Sequence, residues 1–161
     1  MTSATAILRR AATFEKLRAD ADAEQQRLAR VLKAHQDTAS DARRKLEQLQ
    51  VYRAEYLERM RALEAQPGRW GEVRGMRAFL LRLDEAIRAQ EAEVDRTRAA
   101  VDQATGAWTQ ARQRVMAFDQ LSERQREELR ALAVQEDRRE LQEWSALAAT
   151  GDGSLSRPAP L

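Results

Sequence analysis

Apolar residues recur every seven positions through two stretches of about fifty residues, and a short Pro67-Gly68 break separates the two. In the first stretch one set of positions reads Phe14, Ala21, Leu28, His35, Ala42, Leu49, Tyr56 and Leu63, and an interleaved set reads Leu32, Ala39, Leu46 and Met60. The second stretch reads Met76, Leu80, Leu83, Ile87, Gln90, Val94, Thr97, Val101, Ala104, Trp108, Ala111, Val115 and Phe118. Steps of four and three keep such a stripe facing a partner helix only if the helices supercoil, and a strict seven-residue period gives a left-handed supercoil. The pattern predicts an all-α fold, a long antiparallel two-helix coiled-coil hairpin. At about 1.5 Å per residue each arm spans on the order of 75 Å.

The boundaries follow from local chemistry. Ser3 or Thr5 can cap a helix beginning near Ala6, and no breaker interrupts the pattern before about Ala65. Proline removes a donor and disfavours helix in the residue before it, while glycine permits positive φ, so the first helix stops near Gln66 and a turn occupies about 66–75. Gly75 predicts a ragged restart, with the second helix firm from Met76 to about Ala149. Pairing outward from a turn near residue 68 makes the arms nearly equal and brings both termini to the other end. Residues 150–161, rich in Gly, Ser and Pro, read as a disordered tail.

Composition supports helices and excludes most chemistry. Of the 161 residues 34% are charged, with only 6 Gly and 3 Pro, and the apolar residues lie along a stripe rather than in segments that could form layers. The 28 basic side chains nearly cancel the 26 acidic ones, and the two signs alternate along both helices instead of gathering on one face as in a nucleic-acid-binding module. The absence of cysteine removes disulfides, thiolate metal sites and a thiol nucleophile. No apolar run has the length of a signal peptide or a membrane span, so a cytoplasmic protein without direct membrane insertion is expected. There is no phosphate-binding glycine loop, no zinc-protease motif and no nucleophile elbow, and a two-helix hairpin offers no water-excluding pocket. No enzyme activity, metal or cofactor is expected. His35 falls on the stripe and reads as a seam polar residue that fixes register.

Three local features stand out from a plain coiled coil. Between Met76 and Gln90 the stripe is wide, because Phe79 and Ala86 flank Leu80 and Ile87 on the side next to Leu83; these residues either thicken the local core or leave apolar surface for a third partner. Leu49, Tyr52 and Tyr56, at i, i+3 and i+7, stand opposite that segment once the hairpin is closed, Tyr56 on the stripe itself. Arg9, Arg10, Arg18, Arg138 and Arg139 gather toward the end bearing the termini, as a solvated face with helix ion pairs or as a plug for an acidic socket.

At these residues the chain resembles the FliJ family, coiled-coil proteins of the bacterial flagellar type III export apparatus. The resemblance rests on Leu49-x-x-Tyr52-Arg53-x-Glu55-Tyr56 before a glycine-containing turn and Phe79-x-x-x-Leu83-Asp84-x-Ala86-Ile87-x-x-Gln90 after it, continued by Trp108 and Phe118-Asp119-x-Leu121. It implies a stalk for the hexameric export ATPase, similar to the central shaft of rotary F-type ATPases, with the terminal end in the ring. It also implies contact with the membrane-embedded export gate and with export chaperones, in a cytoplasmic protein peripherally associated with the inner membrane at the flagellar base. Carried over by residue, the gate surface is Phe79, Leu83, Ala86 and Gln90, with Leu49, Tyr52 and Tyr56 alongside. The sequence departs from the family pattern at Lys45, where a glutamine is expected, and at Gln90, where some members have histidine. The equivalent stalk of a virulence-type secretion system and a coiled-coil scaffold without an ATPase partner are the competing readings. The tyrosine motif disfavours the first and the short turn disfavours the second.

Overall fold

The computed structural model describes residues 2–151, which form two helices, α1 (Thr2–Glu64, 63 residues) and α2 (Trp70–Gly151, 82 residues). The fold class is the all-α helical hairpin that the repeat predicts. Both helices begin earlier than the sequence indicates. At the start of α1, Ala4 and Ile7 are half-buried, and Ile7 shares a shallow groove with Ala131 and Leu132 of α2, so cross-helix cover extends the helix beyond the expected Ala6. Of the expected tail, Thr150 and Gly151 are helical, the Thr150 hydroxyl donating to the Ala146 carbonyl at 3.1 Å; the rest lies outside the described residues.

The turn is tighter than the sequence indicates. Gln66 N donates to the Leu63 carbonyl at 3.1 Å as α1 ends, and Gly68 takes a φ of +84°, the left-handed conformation that glycine adopts without steric cost. Helix α2 then starts at Trp70 rather than near Met76. Val73 N donates to the Arg69 carbonyl at 3.1 Å, Glu72 lies in the first turn near the positive end of the helix dipole, and Val73 is only 2% exposed. Burying Val73 offsets the roughly 1 kcal/mol that each of Gly71 and Gly75 costs within a helix.

The hairpin divides into two compact units, one of residues 22–113 and one of residues 2–21 with 114–151. In the first, Leu80, Leu83 and Ile87 form the buried core, covered by Leu46, Leu49, Tyr56, Leu57 and Met60 of α1. Antiparallel register is fixed by Arg77–Glu64 at 2.9 Å, Arg53–Asp84 at 2.5 Å and the Gln90 amide, which donates to the Ala42 carbonyl at 2.9 Å. Further along the seam the large residues give way to Ala39, Ala42, Thr97, Ala104 and Ala111, all buried. Thr97, Ala104 and Ala111 recur at the heptad spacing, so small side chains meet the facing helix there, and the Thr97 hydroxyl is satisfied by the Val94 carbonyl at 3.0 Å. Outside the seam the ion pairs are short-range and exposed. In one of them the Arg96 guanidinium, hydrogen-bonded to Glu93, holds that carboxyl below the usual carboxylate range. Such pairs contribute little to stability.

The second unit is more polar. Among its described residues Ala21 and Ser122 are buried, Phe14, Val115, Phe118 and Leu129 are half-buried, and cross-helix pairs join Arg18 to Asp119 and Arg126 to Glu15. Contrary to the expectation of nearly equal arms, α2 is the longer helix by 19 residues, and residues 133–151 are exposed throughout.

This packing sets the response to substitution. Leu83→Ala, which truncates a core side chain, lowers unfolding free energy by about 3 kcal/mol in urea or thermal melts. An added Cβ meets nothing within 4 Å at Gly75 or Gly106, so Gly75→Ala and Gly106→Ala each raise stability by about 1 kcal/mol, whereas Gly68→Ala lowers it through its positive φ.

Candidate partner-binding surfaces

The residues singled out around the tyrosine motif separate into two depths. Leu83 is only 8% exposed and belongs to the core cluster, with Leu49 half-buried against it. Gln90 is half-buried, its side-chain amide bound to the α1 backbone. Above this layer Tyr56 and Phe79 meet across the seam with ring centroids 4.5 Å apart at 40°, and the Arg59 guanidinium lies 5.2 Å over the Tyr56 ring. Tyr52 (56% exposed), Phe79 (38%) and Ala86 are the members that reach solvent. The wide stripe therefore thickens the core with Leu83 and leaves surface at Phe79 and Ala86.

The Arg53–Asp84 pair links the two halves of the motif. Its short, partly shielded contact sets α1 against α2 one residue from both Tyr52 and Leu83, which fixes how the aromatic layer is presented. Sequence reasoning missed Val51. It is exposed beside Tyr52, and both residues line a shallow depression with Gln48 and Glu55 on the outer side of α1. The available signal was an apolar residue off the seven-residue stripe.

At the terminal end the five arginines have different surroundings. Arg18 is paired with Asp119 and Arg139 with Glu143 at 3.3 Å, while Arg9, Arg10 and Arg138 are exposed and make no ion pair among the described residues. The same end holds a feature that sequence reasoning also missed. Leu141, Trp144 and Leu147 recur every three residues on the last turns of α2, and Trp144 is 78% exposed, more than any other large apolar side chain described. Periodicity alone does not distinguish this face from a paired one.

Among the described residues no group of three or more His, Asp or Glu gathers to hold a metal ion, and no helix is long and apolar enough to cross a membrane.

Comparison with known proteins bears on the whole of this arrangement. The family model described as Flagellar FliJ protein matches residues 10–154, which takes in both halves of the motif, the turn and the exposed end of α2. Comparisons with curated proteins and with solved structures give no match. With most of its length matched, from the first turns of α1 past the end of α2, the chain belongs to the FliJ family of flagellar proteins.

Proposed function

We propose that this protein is the non-enzymatic central stalk of the flagellar export ATPase complex, binding and stimulating the hexameric ATPase, touching the export gate and handling export chaperones. Family membership, the observation that carries this reading, brings with it a general part in flagellar export. The stalk acts on the cytoplasmic face of the flagellar base. Its end enters the ATPase ring with Arg9, Arg10, Arg18, Arg138 and Arg139, and the apolar face of Leu141, Trp144 and Leu147 supplies the seat. An exposed apolar face of this size is stable in a partner's sleeve and costly in water. A two-helix end has no six-fold symmetry, so it contacts the six subunits unequally and favours one subunit conformation over the others.

Support for the gate contact comes from Tyr52, Phe79 and Ala86, apolar or amphipathic groups held at the surface by a rigid core. In this reading Leu83, Leu49, Tyr56 and Gln90 shape the patch from beneath.

ATP hydrolysis by the cognate export ATPase is expected to rise on addition of the protein, with co-elution of the two on size-exclusion chromatography. A double substitution, Leu141→Ser with Trp144→Ser, abolishes most of the stimulation while the melting temperature stays within a degree or two, because neither side chain is buried. No rate change at saturating stalk overturns the ATPase part. For the gate, Phe79→Ser with Ala86→Glu weakens binding to the gate's cytoplasmic domain at least about tenfold with helix content preserved. Unchanged affinity removes this patch from the interface.

A further inference from the structure

Two like charges meet across the seam where the repeat elsewhere brings opposite ones together. Glu64 follows the seam residue Leu63 by one position and Arg77 follows Met76, and the two pair at 2.9 Å. In the terminal unit Glu15, after Phe14, and Arg126, after Gln125, repeat the arrangement at 3.2 Å. Arg43, after Ala42, and Arg98, after Thr97, hold the same kind of position, three heptads from Glu64 and Arg77. Here a second guanidinium stands where the other pairs have a carboxylate.

The two arginines line a cleft of about 100 Å³ whose other walls are Ala39, Val94 and Val101. The cleft is open because the buried seam residues beside it, Ala39, Ala42 and Thr97, are small. Arg43 and Arg98 are exposed, and neither makes an ion pair among the described residues. Nearby, Asp41 pairs with Arg44 at 3.1 Å and Glu93 with Arg96 at 2.6 Å, while Glu47, Asp95 and Asp102 are exposed and form an ion pair with neither arginine. Tyr52, Phe79 and Ala86 each precede a seam residue instead of following one, which puts them on the opposite flank of the hairpin. The cleft is therefore separate from the gate patch.

An occupant of this cleft must be negative at the rim and apolar at the floor. Paired guanidinium forks offer donors in the geometry that a carboxylate accepts. Phosphate also accepts from arginine, but it presses oxygens against three apolar side chains that donate nothing, at a desolvation cost. A glutamate side chain brings methylenes for the floor and a carboxylate for the rim. At about 30 Å³ per water in the liquid, the cleft has room for the end of one such side chain. We propose that Arg43 and Arg98 form a docking site for a glutamate of an acidic segment on a partner protein, its methylenes lying on Ala39, Val94 and Val101. The site is independent of the stalk reading.

The test is fluorescence anisotropy of a labelled peptide of Glu and Ala with the full chain, in about 0.15 M NaCl where the Debye length is about 8 Å. Saturable binding is expected, with none of the matching Gln and Ala peptide, and the Glu peptide shifts the methyl resonances of Ala39, Val94 and Val101. Arg43→Gln with Arg98→Gln weakens binding at least about tenfold. A control that removes the same charge from exposed sites of the same unit, Arg30→Gln with Arg82→Gln, changes it less than about twofold. Arg98→Glu, which gives Arg43 a carboxylate across the seam as Glu64 does for Arg77, abolishes binding with helix content retained. No binding by the unaltered chain, equal loss in the two double variants, or binding that leaves those three methyls unmoved overturns the inference. It is overturned too if inorganic phosphate shifts the three methyls and the Glu peptide does not, since the site then takes a free anion. No ATPase is present in this assay, so it and the stalk test fail separately.

Discussion

Antiparallel packing of Leu80, Leu83 and Ile87 against Leu46, Leu49, Tyr56, Leu57 and Met60 is the interaction on which the other features rest. Burying a leucine-sized side chain contributes about 2 kcal/mol, and these residues lie close to the turn. The short connection makes closure cheap, since few residues are ordered before contacts form. Ion pairs and the Gln90 clamp then select the register, and register decides which aromatic groups are left at the surface. Tyr56 and Phe79 meet in the same register that brings Arg53 to Asp84.

This dependence explains why the candidate surfaces have such different characters. Around Phe79 the exposed groups sit on a filled core and are held in place, a preorganised arrangement in which little side-chain freedom is lost on binding. On the last turns of α2, Leu141, Trp144 and Leu147 stand on a single exposed helix. Such a helix depends on intrinsic propensity for its order, and Ala146, Leu147, Ala148 and Ala149 supply it. A partner at that end gains more of its affinity from covering apolar area and loses more to ordering.

The architecture is legible in the sequence because a seven-residue period has few other solutions and Pro67-Gly68 interrupts it once. The start of α2 is not. Two glycines oppose helix locally, and only the burial of Val73, a tertiary effect, outweighs them. Periodicity also identifies the wide stripe but not the depth of its members, since Leu83 and Phe79 differ by the modest rotation that decides which one points between the helices. The exposed end of α2 escapes notice for a related reason: an apolar stripe looks the same in sequence whether or not a facing helix is there. The Arg53–Asp84 pair lies inside the tyrosine motif and its counterpart, yet charges 31 positions apart carry no sequence signal of contact.

The seam of the terminal unit has a further consequence. Where the turn-proximal unit buries leucine and isoleucine, this one buries Ala21 and Ser122, and neither helix supplies a hydrogen-bond partner for the Ser122 hydroxyl or the Gln125 side-chain oxygen. Less apolar area is removed from water per heptad, and polar groups there are better served when solvent reaches them. Separation of the helices within this unit therefore takes less free energy than separation around Leu80. Within this unit, then, the spacing of the two helices is something a binding partner can set.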